Sequence, residues 1–564
     1  MKKKLFTVAI LTFMSIASWG QISTKQNPRS FQTDIQVKNI NNLNLQSPNV
    51  DALLYQDSQN DEIFKIHRCG VRIPVHQDFF DKATKISLPD ANLYMLQLNI
   101  EGASALNFYS DDFYIPQGGE LYIWNPDKTK CLGAFTADNN TDDGYFATDY
   151  VYNDKIILEY YQPKNVLSQA KINIECIGYF YKDIINYEQE VLVNSELTDA
   201  EQPYNLMGYG ASKNCHVNVN CSEGDDFRNQ QRAVAKILII ENNDDMSFCT
   251  GTLLNNTKQD RTPYLISAGH CVQSVASPSF YSRFVFYFNY EAPGCSKPET
   301  EPGYSTLLGA ELLVNDTKFN KGGADYLFMK LKRNPPQSYN VYWAGWSRTE
   351  EFQTNTAVIH HPAGDIKKIS TIGGSLFDLD NNDKNFTISH TTHWCGVFIQ
   401  TEHGTGVTEG GSSGSGLFTR DGYLIGTLSG GNSDCSGKYK NQDWFGKFYV
   451  VYPLIKQWVN PDDQDIMQLP GLDSEVSLKD NILNSASISV YPNPATETLH
   501  VNFEKATDNS IISVLDNLGR SVYSSEIKAG QSVHDIDVTT LNKGVYYVRI
   551  YCHGDSVIKK FVVQ

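Results

Sequence analysis

Three short segments supply the side chains that acyl transfer by serine requires. This chemistry needs a nucleophile, a base that takes its proton and an acid that orients the base. In chain order the segments are LISAGHC (265–271), GGADYLFMKL (322–331) and GGSSGSGL (410–417). They place His270 at the end of an apolar strand, Asp325 just before a mostly apolar strand, and Ser413 in a glycine-rich loop. We therefore predict that Ser413 is a nucleophile, His270 its base and Asp325 the acid that holds the imidazole.

The glycines around the predicted nucleophile have a physical task. A developing oxyanion is stabilised by backbone N–H groups that converge on it, and convergence requires tight turns without a Cβ in the way. We assign this oxyanion hole to the amides of Gly411 and Ser413. Each donor of this kind contributes roughly 3 kcal/mol of transition-state stabilisation.

Each of these features has a simpler interpretation when it stands alone. A glycine-serine run is commonly a flexible loop, a histidine at a strand end is commonly structural, and an aspartate before a strand is commonly a turn residue. Here they occur together, in one order, within a segment that carries seven of the 11 cysteines. This combination favours the catalytic interpretation.

Other classes of function compete with this interpretation. His390, His393 and Cys395 (HTTHWC) have the spacing of metal ligands, but there is no H-E-x-x-H motif and no second cluster to complete four ligands. We therefore expect no metal and no other cofactor. A non-catalytic binding protein of similar fold would usually have lost a triad residue, and all three are present. The net charge of −17 argues against nucleic acid as a partner.

The first 20 residues are typical of a secretory signal peptide. Lysines at 2–4 precede an apolar run at 5–16, and small residues follow at 18 and 20. A membrane anchor is the alternative, but the run is shorter than the ~20 residues needed to span a bilayer. We expect export, and disulfides persist outside the cytoplasm.

The rest of the chain divides into four further segments. Residues 21–209 alternate apolar and polar residues between turn signals, which predicts a β-sandwich without catalytic residues. We interpret it as a propeptide, with an independent binding module as the alternative. Residues 210–465 continue with strands such as VAKILII (234–240) and close with a helix over 453–459 that ends before Pro461. Residues 466–486 are predicted to be a linker, and 487–564 a further set of strands.

The predicted face of that helix is apolar. Its members are Leu454, Ile455, Trp458 and Val459. One helix after many strands suits an antiparallel double barrel that closes with a terminal helix. The predicted fold class is therefore mainly β throughout.

Residues 215–460 resemble the bacterial lysyl endopeptidases, a secreted branch of the trypsin-like clan. The matching stretches are CHVNVNCSEG (215–224), CTGTLLNN (249–256), SAGHC (267–271), WAGW (343–346), IHHP (359–362) and VTEGGSSGSG (407–416). The resemblance implies a chymotrypsin-like double β-barrel, made as a precursor whose mature N-terminus lies near Gly210. It also implies three disulfides: Cys215–Cys435, Cys221–Cys295 and Cys249–Cys271. Cys395 has no counterpart, and we interpret it as a buried free thiol.

The same resemblance implies a pocket for a basic side chain with a carboxylate at its base. Asp443 (in NQDWFG) is the predicted carboxylate, with Asp434 as the rival and a solvated surface position as a third interpretation. Ser429 and Gly430 (in LSGG) are predicted to line the pocket. Strict lysine-specific members carry a His and a Trp beside the site, whereas this chain has Ser429 at the His position. We therefore expect cleavage of proteins or peptides after Lys, with Arg tolerated.

Residues 487–564 resemble the type A sorting domain of the type IX secretion pathway. The matching residues are VYPNP (490–494), NLGR (517–520), LNKGV (541–545) and the basic, apolar ending KKFVVQ (559–564). The resemblance implies contact with secretion machinery, passage through the periplasm and outer membrane, and an extracellular or surface location. A β-sandwich adhesion module is the alternative. The expected partners are thus substrates, the chain's own propeptide and this machinery.

Overall fold

The computed structural model is mainly β, as predicted. It describes residues 27–31, 39–59, 68–182, 207–272, 277–316, 322–383, 386–436, 441–474, 489–502, 510–516, 521–528, 531–552 and 555–564. The predicted signal peptide and residues 475–486 of the predicted linker lie outside the described residues. The chain forms two compact units, Met1–Ser474 and Glu475–Gln564. No helix in the described ranges is long and apolar enough to cross a membrane.

In its described residues, the N-terminal region contains ten strands and two helices. The strands are β1 (Asn41–Asn44), β2 (Arg68–Asp78), β3 (Thr84–Ser87), β4 (Ala91–Asn99), β5 (Ala105–Tyr114), β6 (Glu120–Trp124), β7 (Cys131–Phe135), β8 (Phe146–Tyr152), β9 (Lys155–Pro163) and β10 (Lys171–Phe180). The helices are α1 (Val50–Gln59) and α2 (Phe79–Lys82). Apolar residues alternate along strands such as β4, so that one face of each sheet packs on a shared core.

The middle of the chain contains most of the remaining elements. The first group is β11 (Val217–Asn218), α3 (Arg228–Ala233), β12 (Val234–Ile240), β13 (Asp245–Leu254), β14 (Tyr264–Ser267), α4 (Pro278–Tyr281), β15 (Val285–Phe288), β16 (Ser305–Leu308), β17 (Ala310–Asn315) and β18 (Leu327–Leu331). The second group is β19 (Tyr342–Trp343), β20 (Trp346–Ser347), β21 (Ala357–His360), β22 (Lys368–Thr371), β23 (Asn381–Asp383), β24 (Phe386–Ile388), β25 (His393–Val397), β26 (Gly416–Phe418), β27 (Leu424–Gly431), β28 (Gln442–Lys447), α5 (Phe448–Val459), β29 (Gln468–Leu469) and β30 (Leu472–Asp473). Short 3₁₀ turns lie at Arg29–Phe31, Ala137–Asn139, Ser222–Phe227, Gly269–Val272, Gln337–Tyr339 and Pro362–Gly364.

One sheet of eleven strands joins the N-terminal region to the first half of the predicted peptidase. Its order is β16-β15-β12-β13-β2-β10-β5-β8, and β14, β17 and β18 extend it from β13. The joint is an antiparallel pairing of β13 with β2, in which Asp245 lies opposite Val71 and Met246 opposite Gly70. Buried side chains from both parts also share one core, including Tyr150 and Phe180 on one side and Phe248 and Phe286 on the other. The predicted boundary at 209/210 therefore separates two parts of one packed body.

A second sheet of nine strands carries the predicted nucleophile. Its order is β11-β22-β21-β26-β27-β20-β29, with β28 paired to β27 and β25 paired to β28. Helix α5 begins at Phe448, five residues before the predicted start, and packs Val451 and Ile455 into the core beside this sheet. Leu454, predicted on the apolar face, is half exposed.

The C-terminal unit consists, in its described residues, of seven strands. They are β31 (Ser489–Tyr491), β32 (Thr498–Asn502), β33 (Ser510–Leu515), β34 (Ser521–Ile527), β35 (Val533–Asp537), β36 (Gly544–Cys552) and β37 (Asp555–Val563). They form two antiparallel sheets, β31-β32-β35 and β34-β33-β36-β37. Leu499 and Ile536 from the first sheet share a core with Val514 and Val548 from the second.

Candidate active site

The predicted base and the predicted acid are brought together by one pair of strands. Strand β14 runs directly into the 3₁₀ turn that holds His270, and Asp325 lies just before β18. Because β14 and β18 pair with Ser267 opposite Leu327, the two side chains meet beyond that end of the ladder. His270 Nδ1 lies 2.7 Å from Asp325 Oδ2, and the backbone N–H of His270 donates to Oδ1 at 2.8 Å. The carboxylate thus fixes both the position of the ring and its orientation.

Asp325 is buried, yet its surroundings favour the charged form. Burial opposes ionisation, but the adjacent His270 and hydrogen bonds from His270 and Ser429 outweigh it and hold the pKa of Asp325 below its ordinary value. The backbone is held as well, because the N–H of Asp325 donates to Asp316 at 2.8 Å. An ionised Asp325 beside His270 can stabilise a positive charge on the imidazole.

The loop that carries Ser413 is hydrogen-bonded to β13, the strand that comes before β14 in the chain. The N–H of Thr250 on β13 donates to the carbonyl of Ser413 at 2.8 Å, and the Thr250 hydroxyl donates to the carbonyl of Gly411 at 2.8 Å. A disulfide joins Cys249 to Cys271, the neighbours of Thr250 and His270. The carbonyl oxygen of Ser413 also lies 3.9 Å from Cys271 Sγ, so the nucleophile loop packs against the residue that follows His270.

Two positions of the nucleophile loop require glycine in the observed fold. Gly411 has a φ of +94°, and a Cβ there would lie 2.7 Å from the carbonyl oxygen of His361. Gly414 has a φ of +82°, and a Cβ would collide with Ser267 and Thr250. Both conformations are ones that side chains with a Cβ rarely adopt. The glycine-rich composition thus permits a tight loop packed against β13.

The three disulfides join the pairs that the family resemblance implied. They are Cys215–Cys435, Cys221–Cys295 and Cys249–Cys271. Cys395 is free and buried, and burial with the nearby Asp443 raises the pKa of its thiol to about 12. A thiol held neutral in this way is a poor nucleophile.

Asp443 is completely buried on β28 and is surrounded by hydroxyl donors. Its Oδ2 accepts hydrogen bonds from the hydroxyls of Thr408 and of Ser433, the latter at 3.0 Å, and its Oδ1 accepts from the backbone N–H of Ser433 at 3.2 Å. Thr408 lies five residues before the predicted nucleophile. Sequence reasoning missed Thr408 and Ser433, because only the pairing of β27 with β28 brings Asp443 to them.

The rival carboxylate and the other predicted pocket residues occupy different surroundings. Asp434 is partly exposed and accepts from the backbone N–H of Ser436 at 2.9 Å, which is a local turn contact. Gly430 lies opposite Trp444 in the pairing of β27 with β28. Ser429 is the extra residue of a β-bulge between Leu428 and Gly430. Its hydroxyl hydrogen-bonds to Asp325.

The three residues with metal-like spacing have separate partners. His390 is exposed and hydrogen-bonded to Asp380 at 2.9 Å. His393 is buried, with Nε2 3.1 Å from the hydroxyl of Ser429. Cys395 lies on β25 opposite Trp444.

Glu409, which sequence reasoning missed, anchors the start of the nucleophile loop. Its carboxylate lies 3.4 Å from Lys213 Nζ and 3.3 Å from His216 Nε2. Although burial opposes ionisation, His216 and Lys213 lower the pKa of Glu409 to about 2. The only signal in the sequence is its position beside Gly410, and its partners lie almost 200 residues earlier. The loop is thus tied to the segment that follows the predicted mature N-terminus.

The predicted catalytic groups are inaccessible to solvent in the full-length chain. His270 and Ser413 have 0% relative exposure, and Asp325 has 1%. A peptide bond cannot reach a nucleophile in this arrangement.

Comparison with known proteins assigns two parts of the chain. Residues 209–446 match the family model for the C-terminal domain of lysyl endopeptidase, and residues 489–564 match that for a secretion system C-terminal sorting domain. Both predicted resemblances are confirmed. A lysyl endopeptidase of Pseudomonas aeruginosa is 32% identical over 264 residues, which cover 45% of this chain and 53% of the relative. The chain therefore matches about half the length of that relative. The sorting domain also agrees with the predicted secretion across an outer membrane to the surface or medium.

Proposed function

We propose that this chain is the precursor of a secreted serine endopeptidase that cleaves protein substrates after lysine and tolerates arginine. The observation that carries the proposal is the buried His270–Asp325 pair, with a 2.7 Å contact, in a segment that is similar to lysyl endopeptidases. The base His270, the acid Asp325 and the nucleophile Ser413 follow one another along the chain in the order that the similar family uses.

In the proposed reaction Ser413 Oγ attacks the scissile carbonyl while His270 removes its proton. The oxyanion that forms would be bound by the amides of Gly411 and Ser413. The amides of Ser412 and Gly414 are already used, since they donate to the carbonyls of Glu409 at 3.0 Å and Leu428 at 2.8 Å. The protonated imidazole, stabilised by Asp325, then gives its proton to the leaving amine. Water repeats the sequence on the acyl-enzyme and releases the acid.

The two sheets of the middle region are the proposed barrels of a chymotrypsin-like fold. Strands β12 to β15, β17 and β18 would form the first barrel, and strands of the nine-stranded sheet would form the second. Supporting this, His270 and Asp325 lie beyond the ends of β14 and β18 in the first sheet, and Ser413 lies in a loop of the second. Helix α5 closes the chain segment, as in the predicted architecture.

Asp443 is the proposed recognition group for the substrate cation. A buried carboxylate that is surrounded by hydroxyls can be paired with a lysine ammonium, since hydroxyls can reorient as acceptors toward the remaining ammonium protons. The close approach of Gly431, where a Cβ would collide with Asp443, keeps the neighbouring strand free of side chains at this point. Gly430 and Ser429 complete the proposed wall on β27.

We further propose that residues 21–209 are a propeptide and that processing near Gly210 opens the site. The pairing of β2 with β13 and the shared core support a propeptide, because they pack the N-terminal region together with the peptidase segment. An independent binding module would not be expected to share a sheet and a core with the peptidase.

The first experiment tests the nucleophile. The secreted enzyme and its Ser413→Ala variant are treated with an organophosphorus reagent, and labelling is measured by mass spectrometry. We expect one label per wild-type molecule and none on the variant. An unlabelled wild-type enzyme, or equal labelling of the variant, would contradict the proposal.

The second experiment tests specificity with peptides that differ only in having Lys, Arg, Glu or Phe before the scissile bond. We expect the order Lys, then Arg, with Glu and Phe resistant. Asp443→Asn should lower kcat/KM for Lys about a hundredfold or more, because an unpaired buried ammonium is costly. Asp434→Asn is the matched control and should behave as wild type. Preferred cleavage after Glu or Phe would refute the role of Asp443.

A third experiment tests the proposed contact with secretion machinery. Deletion of residues 487–564 should leave the enzyme in the periplasm, which fractionation and immunoblotting would show. Unchanged export would count against a sorting role and favour an adhesion module.

A further inference from the structure

His393 lies behind the predicted catalytic site, where the mechanism so far does not use it. It is the first residue of β25 and is 1% exposed. Its Nε2 lies 3.1 Å from the hydroxyl of Ser429, and its Nδ1 lies 2.9 Å from the hydroxyl of Thr392. Both ring nitrogens therefore have hydroxyl partners.

Ser429 connects this ring to the triad. It is the extra residue of the bulge between Leu428 and Gly430, and a bulge redirects the side chain of its additional residue. The hydroxyl hydrogen-bonds to Asp325. One oxygen thus contacts the acid of the triad on one side and a buried imidazole on the other.

The hydrogen-bonding protons in the series from Thr392 to Asp325 can be assigned from the donor and acceptor properties of the four side chains. An ionised Asp325 can only accept, so Ser429 must donate its single proton to it. The Ser429 oxygen can then accept from His393 only if the ring carries its proton on Nε2. The Nδ1 atom is left as an acceptor. The Thr392 hydroxyl has one proton, and we assign it to Nδ1 at 2.9 Å in preference to the carbonyl oxygen of Ser389 at 3.3 Å. Every donor in the series Thr392, His393, Ser429 points toward Asp325.

The charges around His393 keep it neutral. Burial lowers the pKa of His393, Asp325 opposes this and Lys447 adds to it, so that the pKa falls to about 4. Lys447, at the end of β28, bonds to Asp378 at 2.9 Å and lies over the Trp394 ring. Asp325 itself faces His270 and receives its other contacts from Ser429, and Asp316 accepts its backbone N–H. A neutral ring has one N–H to give, as the assignment requires.

We propose that His393 is a positioning residue that acts through Ser429, holding its hydroxyl as a donor to Asp325. The proposal rests on the proposed peptidase function and adds a residue to its machinery. Hydrogen bonds in series strengthen one another at low dielectric. A Ser429 hydroxyl that accepts from His393 is therefore a better donor to Asp325, and a carboxylate so bonded keeps its charge and orientation when the His270 imidazolium forms.

The test begins with His393→Phe, which keeps a ring of similar size and removes the N–H. Kinetics of the secreted enzyme are normalised to active sites by titration. We expect kcat to fall about fivefold, the loss of one hydrogen bond's contribution, with little change in KM. The acid limb of kcat/KM should move to higher pH, because a carboxylate with a weaker donor holds the proton on His270 more firmly. His390→Phe, an exposed histidine three residues away, is the matched control and should change neither quantity.

Ser429→Ala closes a double-mutant cycle. If His393 acts through Ser429, then His393→Phe has no further effect on kcat or on the pH profile when residue 429 is alanine. Additive losses, or a loss of active sites with an unchanged pH profile, would overturn the proposal, since a merely structural residue behaves in that way.

Two milder variants guard against misfolding. His393→Gln places an amide donor near the former Nε2 and should restore most of the activity and the pH profile. Thr392→Val removes the partner of Nδ1 and should shift the profile in the same direction as His393→Phe, by less. A His393→Gln enzyme as impaired as His393→Phe would contradict the assigned donor.

A readout independent of activity separates this proposal from the peptidase function. Histidine ¹⁵N NMR spectra are recorded for the Ser413→Ala protein and for the same protein with His393→Phe added. Resonances that disappear in the double variant belong to His393. They should report a neutral ring protonated on Nε2 at pH 7. Protonation on Nδ1 would overturn the link to Ser429 even in an active enzyme, whereas an inactive wild type with the expected tautomer would overturn only the proposed function.

Discussion

The N-terminal region and the C-terminal unit are both mainly β segments that flank the predicted peptidase, yet they are built into the chain in opposite ways. The N-terminal region gives β2 to β13 and shares a core that includes Tyr150 and Phe248. The C-terminal unit closes two sheets on a core of its own, with Leu499 and Val548. The N-terminal region has a core of its own but also shares a sheet and a second core with the peptidase, whereas the core described for the C-terminal unit contains residues of that unit alone.

The difference suggests a rule for flanking segments. Their role depends on whether their apolar side chains pack against the peptidase or only against one another. A segment that must complete another's sheet is suited to assist folding and to inhibit, because its removal changes the body that remains. A segment with its own core is suited to be an address, which can be removed without that cost. The following predictions test this contrast.

The largest effect is expected from deletion of residues 21–209. The remaining chain would expose the apolar face now covered by Tyr150 and its neighbours, together with an unpaired edge of β13. We expect it to be insoluble or unfolded, and we expect refolding to recover when residues 21–209 are supplied as a separate chain. Circular dichroism and peptide hydrolysis are the measurements. Efficient unaided refolding to full activity would break the contrast.

The next effect concerns an ion pair that crosses from β10 to the segment after α4. Arg283 makes two hydrogen bonds to Glu175, at 2.6 and 2.8 Å, and both side chains are buried. Arg283→Met should destabilise the precursor by about 3–5 kcal/mol, because it leaves a buried carboxylate without its bidentate partner. Arg72, whose Nη1 lies 3.9 Å from Glu175 Oε1, would remain as a more distant cation beside the carboxylate. Urea unfolding measures the change.

The matched control for this pair is the double variant Arg283→Met with Glu175→Leu. It removes both charges and should recover most of the stability. If the double variant is as unstable as the single one, packing and not the unpaired charge explains the loss.

A pH effect is expected from Lys236, which is buried where the two parts meet. Its Nζ lies 4.2 Å from the ring centre of Tyr290 and 5.6 Å from that of Tyr150, and burial lowers the pKa of Lys236 to about 8. In the unfolded chain a lysine titrates near 10.4. Between these values the unfolded state binds more protons, so Lys236 makes stability rise as pH increases from about 8 to 10.4, by on the order of 3 kcal/mol.

The measurement is the difference in unfolding free energy between the wild-type precursor and Lys236→Met at pH 7.5 and pH 10. Comparison of the two proteins cancels the titration of the nearby tyrosines. The variant should be more stable relative to wild type at pH 7.5 than at pH 10. A constant difference would show that Lys236 keeps its charge in the folded protein.

The smallest effect on the peptidase is expected from the C-terminal unit. Val548→Ala, in the core of that unit, should lower the unit's own stability by about 2 kcal/mol. The melting temperature and hydrolysis of the remaining chain should not change, and calorimetry can separate the two transitions. A parallel loss in both transitions would contradict the independence of the unit.

Local patterns predicted the elements that depend on few residues. VAKILII is an apolar run rich in β-branched residues that only Lys236 interrupts, and β12 covers it from end to end. The start of α5 was missed because Phe448 to Val451 are aromatic and β-branched residues that favour strands, and because Pro453 resembles a helix start. Packing of residues at every third or fourth position, such as Phe448, Val451 and Ile455, into the core beside the second sheet overrides that preference.

The candidate site divides in the same way. His270, Asp325 and Ser413 lie in short segments whose glycines and apolar neighbours indicate that the position is constrained. Thr408, Glu409 and His393 act through partners far along the chain, and no local pattern distinguishes them from ordinary polar residues. The pairing of β2 with β13 is equally non-local, since many exposed edges in the sequence could serve as its partner.

The disulfide between Cys215 and Cys435 has a consequence for how backbone cleavage of this protein would be detected. It joins two residues 220 positions apart and so encloses most of the predicted catalytic segment in one covalent ring. A single cut of the backbone inside that ring leaves both fragments attached. Backbone cleavage inside this ring would therefore leave the fragments in one band on a non-reducing gel. The separate fragments would appear only after a reductant is added.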